Sequence, residues 1–236
     1  QIFHFKNKGY NFFGNSYTAP IDVQTLVDNI GQDVELTVWI YDVESRNYIE
    51  SNNLMRVLRK AKFDKISSMQ GFFMRIRGDE YGVDGDIDYA DAVWKNRILT
   101  ENPMIKSPKR AALQLDYSLA TLSFATANHE DQVILVEGNE FTNDFDNGND
   151  ASKMKGEGVF NVFANTVAGE LACVATNELE GTMIAFNAGN EREYTVTFND
   201  IAGEEYALVD LVTGMKIEMT DGVSYTFTAE PNSVCE

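Results

Sequence analysis

Two short stretches carry the side chains best suited to hold an ion. "DEYGVDGDIDYAD" contains Asp84, Asp86 and Asp88, flanked by Asp79 and Asp91. "NDFDNGNDASK" contains Asp144, Asp146, Asn149 and Asp150, with Asn147 among them. Calcium takes about six to eight oxygen ligands, and alternating Asp and Asn side chains in a Gly-containing loop supply them. Neither stretch is an EF-hand loop. The first lacks the glycine at the required offset, and neither ends on the required glutamate. Short Asp and Asn side chains also bond their own backbone and make turns with no ion present. Turn formation is the expectation for both stretches. Structural Ca2+ is the alternative, for the second loop before the first, and it would staple a loop rather than catalyse.

Other chemistry is sparse. His4 and His129 are the only histidines and lie far apart in sequence. The chain has no G-x-S-x-G elbow, no H-E-x-x-H helix and no phosphate-cradling loop. Cys173 sits in "ELACVATN", an apolar strand-like setting, whereas an activated thiol needs an electropositive, accessible one. With 37 acidic residues, carboxylate pairs arise by chance and identify no hydrolase. The sequence therefore reads as a non-enzyme with no cofactor beyond the calcium alternative. Cys173 and Cys235 are too few for a disulfide scaffold or a metal cluster; pairing and buried thiols both remain open.

Aromatic residues are the remaining candidates. Tyr10, Phe12, Phe13 and Tyr17 are dense, as are Trp39, Tyr41 and Tyr48. A row of exposed rings holds sugars in many β-sandwich modules, which makes Trp39, Tyr41 and Tyr48 the candidate ligand-binding set. Large apolar fillers for a two-layer core are the simpler reading. A basic cluster, Arg56, Arg59, Lys60, Lys62 and Lys65, stands out in an acidic chain. It reads as a solvated face over the apolar stripe of "NNLMRVLRKAKF", or as a docking site for an acidic partner or another copy.

The elements that must position these residues are mostly strands. Val38 and Ile40 alternate with Trp39 and Tyr41; Tyr194, Val196 and Phe198 alternate with Thr195, Thr197 and Asn199. Val223, Tyr225 and Phe227 repeat the pattern, and "DQVILVEG" and "GTMIAFNAG" read as short buried strands. Turn signals at Thr213-Gly214 and Asp221-Gly222 separate the last strands. "PIDVQTLVDNIG" and "NNLMRVLRKAKF" read as short helices. "TENPMIKSPKR" holds two of the four prolines and marks a boundary. The expected fold is all-β: two β-sandwich or jelly-roll-like domains, residues 1–105 and 106–236, with at most short helices.

Composition closes off several function classes. The net charge of −18, from 37 acidic against 19 basic residues, repels nucleic acid and anionic membranes. No apolar run approaches the roughly 18 residues of a membrane span, so no membrane insertion is expected. "QIFHFKNKGY" is not a signal peptide, which suits a mature form or a fragment of something longer.

Several stretches resemble, in order, the C-terminal β-sandwich region of surface and secreted proteins exported by the type IX secretion system. "YNFFGNSYTAPID" is similar to a segment of the form N-L-x-G-N-P-Y-x-x-x-I-D. "VWIYDVESRNYIE" is similar to I-Y-x-W-D…Y, and "ISSMQGFFMRI" to I-x-P-G-Q-G-F-F-V-K. "DAVWKNRI" fits the strand ending in arginine that usually follows. "DFDNGNDASK" resembles G-F-D-x-G-Y-D-A-x-K, and "LVDLVTGMKIEMTDGVSYTFTAE" resembles the closing L-x-D-x-x-T-G…G-x-Y-x-F-x-A. Ser16 replaces a proline, and Ser68 and Met69 replace a Pro-Gly pair. The resembled pattern has one more strand, often beginning with Arg-Phe, beyond Cys235-Glu236; without it a sheet edge stays open for a strand from a neighbouring chain.

The resemblance implies an extracellular or cell-surface location, outer-membrane-associated, and no catalysis. The resulting expectation is an adhesin-like structural module of a larger secreted protein, acting through protein–protein or strand-addition contacts with a protein partner or with itself. Alternatives are a carbohydrate-binding module with a glycan partner, or an accessory domain of a secreted enzyme.

Overall fold

The computed structural model describes residues 9–28, 30, 34–77 and 117–235. It is an all-β structure, with two short helices among the described residues. The chain divides into two compact units. One gathers Gln1–Tyr41, Tyr48–Leu113 and Asn147–Ala151; the other gathers Asp42–Asn47, Gln114–Asp146 and Ser152–Glu236. The boundary expected near residue 105 lies outside the described residues.

The first unit begins with β1 (Gly9–Gly14), β2 (Ile21–Asp22) and α1 (Val23–Val27). Then follow β3 (Thr37–Asp42), β4 (Asn47–Asn52), α2 (Asn53–Val57), β5 (Lys65–Ile66) and β6 (Gly71–Ile76). Its four-stranded sheet has the order β1-β6-β3-β4, and β2 pairs with β5 beside it. Alternation along the strands sends Phe13, Phe72, Met74, Ile76, Val38 and Ile40 to one face. There they pack with Ile21, Val23, Leu26 and Ile66. Both helices are single turns started by a side-chain cap. Asp22 accepts from Thr25 N at 2.9 Å and from its hydroxyl at 2.7 Å; Asn52 accepts from Met55 N at 2.8 Å. The apolar spacing Leu54, Val57, Leu58, Ala61 continues past the end of α2. Arg59 takes a positive φ of 60° and ends it, with Leu54 and Met55 as its buried contribution.

The second unit contains β7 (Tyr117–Ala125), β8 (Glu130–Gly138), β9 (Ala151–Ser152, of which Ala151 is counted in the first unit), β10 (Asn161–Thr166) and β11 (Gly169–Thr176). These are followed by β12 (Met183–Asn187), β13 (Glu193–Ala202), β14 (Ala207–Val209), β15 (Lys216–Glu218), β16 (Ser224–Thr228) and β17 (Val234–Cys235). The large sheet runs β16-β13-β7-β8-β11-β10-β12-β17, with β9 added on β11. Along the path from β16 to β17 the pairs are antiparallel except β8 with β11, which are parallel. β14 and β15 form a separate hairpin.

This sheet is curled onto itself. In a flat sheet β12 and β13, five places apart, would stand about 24 Å from one another at the usual strand spacing. Instead Phe186 of β12 meets Tyr194 of β13 at 4.6 Å between ring centroids and Phe227 of β16 at 5.6 Å. Phe124 and Phe160 complete a herringbone of mostly edge-on rings that fills the space between the layers. Val133, Ile134, Leu135 and Val136 are all buried, because β8 has covered faces on both sides.

Candidate functional site

Of the aromatic candidates, the structure brings Tyr41 and Tyr48 together and places Trp39 in the interior. Trp39 is fully buried and lies edge-on to Tyr10 at 5.1 Å. Burial, with Glu35 nearby, pushes the Tyr10 hydroxyl well above the usual tyrosine range, and the Arg75 guanidinium lies over its ring at 5.4 Å. Tyr41, 48% exposed, touches Tyr48 at 5.4 Å; Tyr48 touches Phe73 at 5.5 Å, and Phe73 touches Phe12, which is 66% exposed. The row crosses β1, β6, β4 and β3 on the face opposite the core. Successive rings are inclined by 53° to 89°, so they form a ridge and not a flat platform.

Asp84, Asp86 and Asp88 lie outside the described residues. In the second loop, Asp144 is exposed and Asp146 accepts from Thr142 N at 2.7 Å and from its hydroxyl at 3.1 Å. Asn147 accepts from Leu36 N at 2.7 Å and donates to Val34 O at 3.1 Å. Leu54 N donates to Gly148 O, while Asn52 donates to the carbonyls of Asn149 and Asp150 at 2.8 and 3.0 Å. Asp150 is buried. Asp144 and Asp146 belong to the second unit, Asn149 and Asp150 to the first. Among the described residues, no three His, Cys, Asp or Glu side chains converge as a metal site. Cys173 is a buried thiol in β11.

A surface the sequence did not single out lies at the end of the large sheet. β16 closes the strand order, paired only with β13 among the described strands. Its hydroxyls mark the register: Thr226 contacts Thr195 at 3.0 Å and Ser224 contacts Thr197 at 2.9 Å. Such close side-chain contact belongs to non-hydrogen-bonded antiparallel pairs, so the N–H groups of Ser224 and Thr226 point away from β13. Beside this edge, Tyr225 donates to Asp210 at 2.6 Å and anchors the turn between β14 and β15. That bond holds the Asp210 carboxyl below the usual carboxylate range and raises the Tyr225 hydroxyl above its own. The hairpin exposes Val209, Leu211, Val212 and Met215; Leu211 is 63% and Val212 90% exposed. Alternation would bury every second residue of "ALVDLV". The available signal was that apolar residues occupy consecutive positions in a turn, where no core can receive them.

No family model matches the chain, and no solved structure matches it. Among curated proteins the chain is similar to the minor fimbrium subunit Mfa5 of Porphyromonas gingivalis, with 24% identity over 246 aligned residues. The alignment takes in 94% of this chain and 20% of that protein, so the chain spans about a fifth of the length of the curated relative it matches.

Proposed function

We propose that the chain is a non-catalytic structural or adhesion module of a cell-surface protein, working by protein–protein contact. The observation that carries this reading is the likeness to a fimbrium subunit along nearly the whole chain. The structure supports a specific mode. β16 offers outward N–H and C=O groups next to the exposed Leu211 and Val212, so an added strand gains backbone hydrogen bonds from the edge and apolar burial from the hairpin. Export by the type IX route and outer-membrane association belong to the same proposal and rest on the sequence resemblance.

Amide hydrogen exchange tests the mode. In the isolated chain, Ser224 and Thr226 amides exchange fast; in the surface assembly they become protected. Thr226→Pro removes one outward N–H, which an edge strand tolerates, and is expected to abolish assembly with little change in melting temperature. Unchanged exchange at β16 on assembly, with full assembly of T226P, overturns strand addition here.

A further inference from the structure

We propose that Lys153 and Asp131 are joined side chain to side chain by an isopeptide bond formed within the second unit. Lys153 Nζ lies 2.6 Å from Asp131 Oδ1, with side-chain exposures of 0% and 9%. Both residues are fixed before they meet. Asp131 is the second residue of β8, and its carboxylate accepts from Gln132 N through Oδ1 and from Val162 N of β10 through Oδ2, both at 2.9 Å. Lys153 follows β9, and its N–H donates to Glu170 O of β11 at 2.9 Å. Two reactive groups held in contact by separate strands react as one molecule, with the entropy of encounter already spent by folding.

The same geometry assigns each atom a part. One ammonium proton passes from Nζ to Oδ1. The freed nitrogen lone pair attacks Cγ and forms the N–C bond, while the displaced carbonyl pair moves onto Oδ2. The Val162 N–H already points at Oδ2 and stabilises the charge that gathers there, as an oxyanion-hole donor does. A second proton moves from nitrogen to Oδ1, the Cγ–Oδ1 bond breaks, and water leaves. An ammonium and a carboxylate become one amide and one water; nothing is oxidised or reduced. The product also relieves a cost. A buried ion pair carries a desolvation penalty that its mutual attraction often fails to offset, and an amide carries no charge.

The bond is independent of the surface-module reading, and its test reads covalent structure alone. The full chain, kept reduced, is analysed by intact-mass spectrometry and tryptic peptide mapping. The expected mass is one water below that of the sequence. Mapping is expected to give a branched peptide joining the Asp131 and Lys153 segments, with no cleavage after Lys153. Locating the loss in that peptide separates it from cyclisation of Gln1, which removes ammonia. Lys153→Met and Asp131→Ala are each expected to show the full mass of their own sequences. Where a variant fails to fold, the wild-type peptide map still decides. A wild-type chain of full mass, cleaved after Lys153 with no branched peptide, overturns the proposal and leaves an ion pair only.

Discussion

Asn15 shows how much one side chain can settle at the corner after β1. Its Nδ2 faces the carbonyls of Ala19, Ile66 and Ser67 at 2.9, 3.1 and 3.0 Å, and its Oδ1 accepts from Tyr17 N at 3.0 Å. The residue is buried. Asn15→Ala strands several of these groups away from water, and we expect a loss of about 3 kcal/mol, at 1–3 kcal/mol per abandoned group, read by urea denaturation. Across the same corner, Met69 has a φ of 63°, at a position where the resembled sequence pattern carries glycine. Its side chain is exposed, so it returns little packing for the strain. Met69→Gly is expected to stabilise by up to about 1 kcal/mol, the left-handed penalty less the glycine entropy; a loss of stability removes this account. Asp210 gives a pH dependence with a definite sign. Its folded-state carboxyl is held low by the Tyr225 hydroxyl, so the bond contributes above the unfolded carboxylate range near pH 4 and is lost as pH falls through the folded value. The difference in melting temperature between wild type and Tyr225→Phe should therefore shrink on acidification. A constant difference from neutral to strongly acid pH contradicts it.

Strands were legible because a buried sheet face writes its period into the sequence. Tyr194, Val196 and Phe198 alternate and are all fully buried on β13. Two segments that resembled separate landmarks are one element pair: β1 and β6 align Phe12 with Phe73, Phe13 with Phe72 and Gly14 with Gly71. Pairing partners so distant in sequence leave no periodic trace, so that adjacency was not readable. The helices were legible as short and at their starts, where Asp22 and Asn52 cap, but not at their ends, because an apolar stripe does not record where a residue such as Arg59 turns left-handed. The aromatic set was legible as a cluster but not in its exposure. Trp39 and Tyr41 share a face of β3, yet one is buried and the other open, a difference set by what covers the sheet. Trp39→Ala should cost about 3–5 kcal/mol in unfolding free energy, while Tyr41→Ala should cost less than half of that. Equal costs would contradict the burial.

At the scale of the whole molecule, the candidate surface and the cross-link were hidden for the same reason: both depend on where a curled sheet ends and meets itself. Nothing in the spacing of Asp131 and Lys153 brings them together. Contact arises only once β8, β10 and β11 pair and carry the ends of their neighbours with them. The acidic balance was legible, and it frames how such a module is held together. A net charge of −18 repels itself, so the compact state benefits from any tie that charge cannot loosen. A covalent link between positions 22 residues apart constrains the unfolded chain, and by the chain-entropy relation used for disulfides it is worth about 3 kcal/mol. That value separates a link from an ion pair through one double variant. Lys153→Met with Asp131→Leu removes both charges and fills the site with apolar atoms. Replacing a buried ion pair in this way is usually neutral or stabilising by about 1–4 kcal/mol. Replacing a cross-link in the same way forfeits loop closure, so the variant is expected to unfold at lower denaturant with about 3 kcal/mol less stability. Equal or higher stability of the double variant would count against the bond.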